Sequence, residues 1–386
     1  MQRNRKVPGD FQALLIEAKL REFRDPIEKL SYLRHMAGTA SGRGIRFIST
    51  CFRVALFALM LFGFRIQTVT DANASFPREK KKADKFSLQQ SQPIIPGTIW
   101  LVDRGKDYEV YSNSLRIENR YVTPNQARSY VTFRPGQPPD KVSERSSQPA
   151  GIVLHTSESF QAPLAPDQND NLTRIGRGLL DYVSRHHAYH FVIDRFGRVF
   201  RIVPETDTAN HAGNSIWANQ DKIYINLNHS FLGVSFEAHT GNIDQGCYLS
   251  PAQVHSGRLL VQMLVSKYNI PLTNCITHAQ VSVNPDSMII SYHTDGSGDF
   301  PFQELGLPDN YSLPVPSISM FGFDCDPSVL MATGFRMWKG LLLANEQLRR
   351  EAESQHIPLG QYKQKLRERY RTSMATLKTM GVIKEN

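Results

Sequence analysis

Cysteine is scarce in this chain, with four in 386 residues, too few for a disulfide-stapled scaffold. None of the four stands in a Cys-x-x-Cys pair, which sets aside zinc fingers and thioredoxin-type sites. Internal repeats are missing as well, so solenoids and propellers drop out. The middle of the chain also lacks positive charge. A net charge of +9 would suggest a nucleic-acid partner, yet its location argues otherwise. Residues 1–50 hold ten Lys/Arg against five Asp/Glu, Arg53 and Arg65 follow, and residues 326–386 hold eleven basic side chains against six acidic. That leaves residues 66–325 at −3. A phosphate-binding surface needs its cations clustered on the recognition domain, so no nucleic-acid partner is expected. Hydrophobic content of 40% and charged content of 21% are globular values. The length suits one catalytic domain of about 150–200 residues with added segments.

No uninterrupted membrane span is evident in the leader. The uncharged stretch Val54–Phe64 has eleven residues, against roughly 20 for a spanning helix. It has the length of a signal-peptide apolar region, with Arg43, Arg46 and Arg53 ahead of it and Ala72-Asn73-Ala74 behind it as a cleavage site. Cutting after Ala74 starts the mature chain at Ser75. The 50 residues ahead are long for such a leader, and a start at Met36 gives ordinary proportions. A signal anchor over Ile45–Val69 is the alternative, and a buried helix of a soluble protein is the third reading. The favoured expectation is export to the periplasm or cell envelope.

Four segments are expected: 1–74, basic region with signal peptide or anchor; 75–150, linker and small β-rich region; 151–310, the main domain; 311–386, linker and basic helical extension. Residues 11–35 have helical periodicity broken at Pro26. Short β-prone runs such as YEVY and YVTF lie between Ile99 and Phe133. The main block reads β-α-β-β-β-α. Gly151–His155 opens it as a strand, Leu172–Arg185 is a helix, and Tyr189–Asp194 with Arg198–Val203 forms a hairpin across Arg195-Phe196-Gly197. Phe231–Glu237 is a further strand. Pro251–Tyr268 is a helix with Ser250 as N-cap. Two basic helices are expected around the break at Ile357-Pro358.

Ten of the twelve histidines fall between 155 and 293. Neutral imidazole suits zinc, and a catalytic zinc keeps three protein ligands and one open position. His155 ends a strand, His278 follows the apolar step NCIT, and Asp295 sits in the Gly-rich YHTDGSGDF. Any one of these has a bland reading as a hydrogen-bonded core residue. Spacing alone does not unite them.

The surrounding words do. GIVLHTSES, AYHFVIDRFGRVFRIVPE, NHAGNS, FLGVSFE, a Pro-started helix, ITHAQVSVNP and HTDGSGDFPF occur in that order over about residues 150–305. Together they resemble the zinc-dependent N-acetylmuramoyl-L-alanine amidases of the type 2 amidase and peptidoglycan-recognition-protein superfamily. The resemblance implies an α/β fold: a central mixed β-sheet flanked by helices, with zinc at the sheet edge. It implies His155, His278 and Asp295 as zinc ligands, Tyr189 beside the metal, and His211-Ala212-Gly213 lining the substrate groove. It further implies peptidoglycan or muropeptide as substrate, with cleavage of the amide between N-acetylmuramic acid and L-alanine.

Three departures stand out. His293 replaces the usual Lys two residues before the third ligand, and Gly296 replaces the usual Pro after it. Where another branch has a catalytic Glu, this chain has Ser235, with Glu237 two residues on along the same strand face. Glu237 is a candidate catalytic carboxylate or equally a partner for a nearby Arg or amide. His293 is a candidate proton donor to the leaving amine, and Tyr189 a hydrogen-bond donor to the oxyanion. His186-His187 reads as a helix C-terminal cap, and His190, opposite Tyr189 by strand alternation, as a packed residue. Cys247 and Cys275 could pair in an oxidising compartment, leaving Cys325 unpaired, with structural thiols as the default reading. The basic C-terminal helices offer either a solvated face or contact with membrane or anionic wall polymer. Two other function classes stay open: a muropeptide-binding module that does not cut, and a membrane interaction protein using this domain as a scaffold.

Overall fold

The apolar run that opens the main block becomes a strand buried along its whole length, and a sheet is built outward from it. The computed structural model describes residues 98–137, 145–219, 221–240, 249–298, 300–325 and 338–381. Strands β1 (Leu101–Arg104), β2 (Tyr108–Tyr111) and β3 (Arg116–Glu118) form a meander, and β4 (Tyr130–Val131) pairs with β5 (Arg145–Ser146). Next come β6 (Gly151–Thr156), helix α1 (Asn169–Arg185), β7 (Phe191–Ile193) and β8 (Val199–Arg201). A hairpin of β9 (Ile216–Ala218) and β10 (Ile223–Ile225) precedes the single turn α2 (Leu227–Ser230) and β11 (Phe231–Phe236). Helix α3 (Pro251–Tyr268), β12 (Cys275–Thr277) and the single turn α4 (His278–Val281) follow. Strands β13 (Val283–Asn284), β14 (Ile289–Ile290) and β15 (Asp324–Cys325) make a small sheet, with α5 (Pro316–Phe321) ahead of β15. Helices α6 (Lys339–Ser354) and α7 (Leu359–Thr379) close the described chain, separated at Ile357-Pro358 as their sequence demands.

Eight strands form the central sheet in the order β1-β2-β3-β8-β7-β11-β6-β12. It is mixed: β7, β11, β6 and β12 run parallel to one another, while β7 and β8 are antiparallel. The β-rich stretch ahead of Gly151 belongs to this same sheet, because β3 pairs with β8 through Ile117 and Val199. Period two divides β6 between its faces. Ile152 and Leu154 join the cluster containing Leu260, Val261 and Leu264 of α3, whereas Val153 joins Trp217 and Tyr224 of the hairpin. His155 therefore leaves the sheet on the hairpin side. Helix α3 starts as read, with Ser250 and Gln253 making a capping box ahead of Pro251.

Tyr189 lies outside β7 in the left-handed region, with φ of +64°, so strand alternation does not govern it. His190 is nonetheless packed: its Nδ1 accepts from Gly233 N and its Nε2 lies 2.7 Å from Arg128. His186 is the C-cap of α1. The leader, its apolar stretch, the 11–35 helix and Cys247 lie outside the described residues; Cys275 is a buried thiol whose pKa burial raises. No helix among the described residues is long and apolar enough to cross a membrane.

The meander is bound to the core by a buried ion network. Arg201 of β8 donates to Glu109 of β2 at 2.9 Å and to Glu205 at 2.8 Å, and Lys267 of α3 reaches Glu205 at 3.4 Å. Burial alone would raise both carboxyl pKa values, but Arg201 outweighs it and holds them below the ordinary 4.5. Arg201→Met takes the shared cation from two buried carboxylates, leaving Arg104 to Glu109 and Lys267 to Glu205, and the expected cost is about 3 kcal/mol, read from urea unfolding. In the native protein the depressed carboxylates contribute fully above their unfolded value. That contribution is lost as pH falls through their folded pKa. Arg201→Met should therefore flatten the acid limb of the stability profile; identical limbs in the two proteins would remove the network from this role.

Candidate metal centre

The parallel strands β6 and β12 end at the same side of the sheet, and their carboxyl ends carry two of the three site residues. His155 is the fifth residue of β6, and His278 follows β12 directly as the first residue of α4. Thr277 caps that turn in a capping box with Gln280, which fixes where the imidazole leaves the backbone. Asp295 comes from the Gly-rich loop after β14. One Asp295 oxygen lies 2.9 Å from His155 Nδ1 and the other 2.7 Å from His278 Nδ1. The ligand atoms of the three residues all lie within 4.8 Å of one another, the one such His/Cys/Asp/Glu cluster among the described residues.

The outward nitrogens are held too. His155 Nε2 lies 3.2 Å from His211 Nδ1, His211 Nε2 faces the Phe231 carbonyl, and His278 Nε2 faces the Ala212 carbonyl at 3.4 Å. Such contacts set ring orientation, leaving both Nδ1 atoms aimed at the carboxylate. A borderline N/N/O donor set with this outer shell fits a zinc-like divalent cation. The electrostatics agree. Burial pushes His155 down to about 4, so it is neutral at pH 7. Burial also opposes the charge on His278, but Asp295 outweighs it and raises that pKa. The same two imidazoles hold Asp295 well below the usual carboxylate range despite its burial.

His278 and Asp295 of the cluster line a cleft of about 360 Å³, with His155 buried behind them, and Thr156, Ser157, Glu158, Tyr189, Asn210, His211, Gly213, Asn228 and His293 complete its wall. Tyr189 packs its ring 5.0 Å from that of His155, and burial together with Asp295 raises its phenol far above its ordinary value. His293 stacks on His278 at 5.0 Å between centroids, exposed at the cleft mouth. Partial burial and the adjacent His278 lower its pKa, so at pH 7 it is a neutral imidazole. His211 and Gly213 line the cleft, while Ala212 is buried behind it; Asn228 fixes the segment by accepting from the His211 and Ala212 amides.

Glu237 is not brought into the cleft. Strand β11 ends at Phe236, and the Glu237 carboxylate accepts from the Arg195 amide at 3.3 Å, with burial lifting its pKa to about 7. The carboxylate at the rim is Glu158, which the sequence reading did not single out. It turns back after β6 at φ +49° and accepts from the Thr156 and Thr240 hydroxyls. Its signal was its place three residues beyond His155, between small hydroxyl residues.

The family model described as N-acetylmuramoyl-L-alanine amidase matches residues 145–295, the interval that contains every member of the cluster. The match covers under half of the chain. AmiD of Escherichia coli K12, an N-acetylmuramoyl-L-alanine amidase, is 23% identical over 138 residues, or 34% of this chain. The match spans 45% of AmiD, under half of that relative's length. Among solved structures, the amidase LysC of Clostridium intestinale is 24% identical, with 41% of this chain and 83% of LysC covered and a TM-score of 0.25. The complex of E. coli AmiD with anhydro-N-acetylmuramic acid-L-Ala-D-gamma-Glu-L-Lys is 18% identical, with 52% and 89% covered and a TM-score of 0.36.

His155→Ala, His278→Ala and Asp295→Ala should each weaken uptake of a divalent cation by at least about tenfold. Equilibrium dialysis with Zn2+ checks this, with about one ion per native chain expected. Glu237→Gln should bind as the native protein does. Equal uptake by all four variants would place the metal elsewhere.

Proposed function

We propose that the protein is a zinc-dependent hydrolase that cleaves the amide between N-acetylmuramic acid and L-alanine in peptidoglycan or muropeptides. The observation that carries this reading is the His155/His278/Asp295 cluster at an open cleft, with Tyr189 and His293 beside it. Zinc held there would lower the pKa of water toward about 7 and polarise the scissile carbonyl.

The chain's own groups supply the rest. Tyr189 stays a neutral phenol and donates to the oxygen that gains charge as the carbonyl becomes tetrahedral. His293, neutral at rest, accepts the proton of the attacking water and passes it to the departing L-alanine amine. That completes the balance: the carbonyl carbon gains the oxygen, the C–N bond breaks, and the amine leaves protonated. His211 keeps His155 oriented while Gly213 leaves the cleft wall open. Export to the envelope places such an activity at its polymer, and the basic leader with its apolar stretch supports that placement.

The test is release of stem peptide with a free L-alanine amine from peptidoglycan. Chelation should stop it, added zinc should restore it, and His155→Ala should abolish it. His293→Ala should lower kcat by about 10²–10⁴-fold with little change in muropeptide affinity. Zinc-loaded protein that binds muropeptide and releases nothing would make this domain a receptor. His293 with Gly296, the least standard part of the site, is the feature on which that second reading rests.

A further inference from the structure

We infer that the C-terminal helical hairpin is part of the metal centre, with Tyr311 as the positioning residue that holds the Asp295 loop. The inference rests on the metal-dependent reading above and concerns how the third ligand is kept in place.

The peptide after Asp295 is gripped from both sides. Gly296 N–H lies 3.1 Å from Thr156 Oγ1 and 3.2 Å from Thr240 Oγ1, and its carbonyl accepts from the Tyr311 hydroxyl. Gly296 has φ of +74°. The proline implied by the family resemblance would supply neither feature, since its φ is fixed near −65° and it has no N–H. The departure at Gly296 is therefore matched by a different anchorage.

Tyr311 is in turn set by α6. Its ring stacks on Trp338 at 4.4 Å and 14°, directly ahead of that helix, and meets Phe302 edge-on at 5.1 Å. In the first turn of α6, a Cβ on Gly340 would lie 1.8 Å from the Leu313 carbonyl oxygen and 2.8 Å from that of Tyr311. The helix backbone thus rests on the backbone of the Tyr311 turn, an approach that only glycine permits. The same turn reaches the second ligand. Asn310 donates to the Cys275 carbonyl of β12, and its own carbonyl accepts from Gln280, the residue that caps the His278 turn. Helix α7 secures the arrangement: Tyr362, Leu366 and Tyr370 are buried, and Lys363 and Arg367 both pair with Asp324 at 2.6 Å.

The decisive substitution is Tyr311→Phe in the full chain, which keeps the stacked ring and removes only the hydroxyl. Tyr111→Phe is the control, a buried tyrosine of β2, toward the opposite end of the sheet, whose hydroxyl bonds Glu109. Zinc affinity is read by competition with a chromophoric chelator, and ligand geometry by the visible bands of the Co2+ form. Tyr311→Phe should lose about 10–100-fold in zinc affinity and shift the cobalt bands, and Trp338→Leu should move both the same way. Tyr111→Phe should leave both unchanged, even where its urea midpoint falls as far. Native affinity and an unshifted cobalt spectrum in Tyr311→Phe would overturn the inference while the metal site stands. Failure of the unsubstituted protein to bind either metal would overturn both.

Discussion

One buried carboxylate organises this molecule's chemistry. Asp295 faces two imidazoles through its two oxygens, and each imidazole comes from the end of a different strand. A charge removed from water is tolerated only when it is paired and hydrogen-bonded. Here that requirement brings β6, β12 and the Gly-rich loop to one point. The His211 segment serves the same end from behind, since it occupies the imidazole nitrogens that face away from the carboxylate.

The sheet's order explains why the strand ends are available. Parallel strands β7, β11, β6 and β12 direct their carboxyl ends to one side, and β12 is the edge. On β11, Gly233 leaves room for the His211 ring, which a Cβ there would meet at 2.5 Å. At the other end, the Arg201 network ties the meander to the sheet alongside the apolar burial of Tyr111, Leu115 and Ile117.

The parts of this design that follow from local chemistry were legible in the sequence. The strand that ends at His155, the capped helix from Pro251 and the break at Ile357-Pro358 each have a short-range cause. The site triad was legible through the words around it, since its members lie 123 and 17 residues apart, and no local periodicity links them. Glu237 shows the limit of strand alternation. The period puts it on the face of Ser235, yet the strand stops at Phe236 and the Arg195 amide takes its carboxylate. Glu158 and Tyr311 were illegible for a related reason: one depends on a turn at positive φ, the other on a helix that docks from the far end of the chain. Nor does any local pattern show that two basic residues of that helical region, Lys363 and Arg367, are engaged with Asp324.

Charge in the cleft favours a cation over a fixed ammonium. Its lining includes two carboxylates, Glu158 and Asp295, and no Lys or Arg. His155, His211 and His293 are all pushed toward the neutral state. A lysine at position 293 would add a permanent positive charge beside the ligands and oppose a divalent ion by simple Coulomb repulsion. Neutral His293 imposes no such opposition and still has a nitrogen to receive a proton. Because it stacks on His278 rather than standing free, its position is tied to a member of the cluster. On the proposed mechanism, histidine in place of the lysine expected from the family resemblance would trade constant electrostatic stabilisation for a proton carrier that is charged only while the reaction requires it.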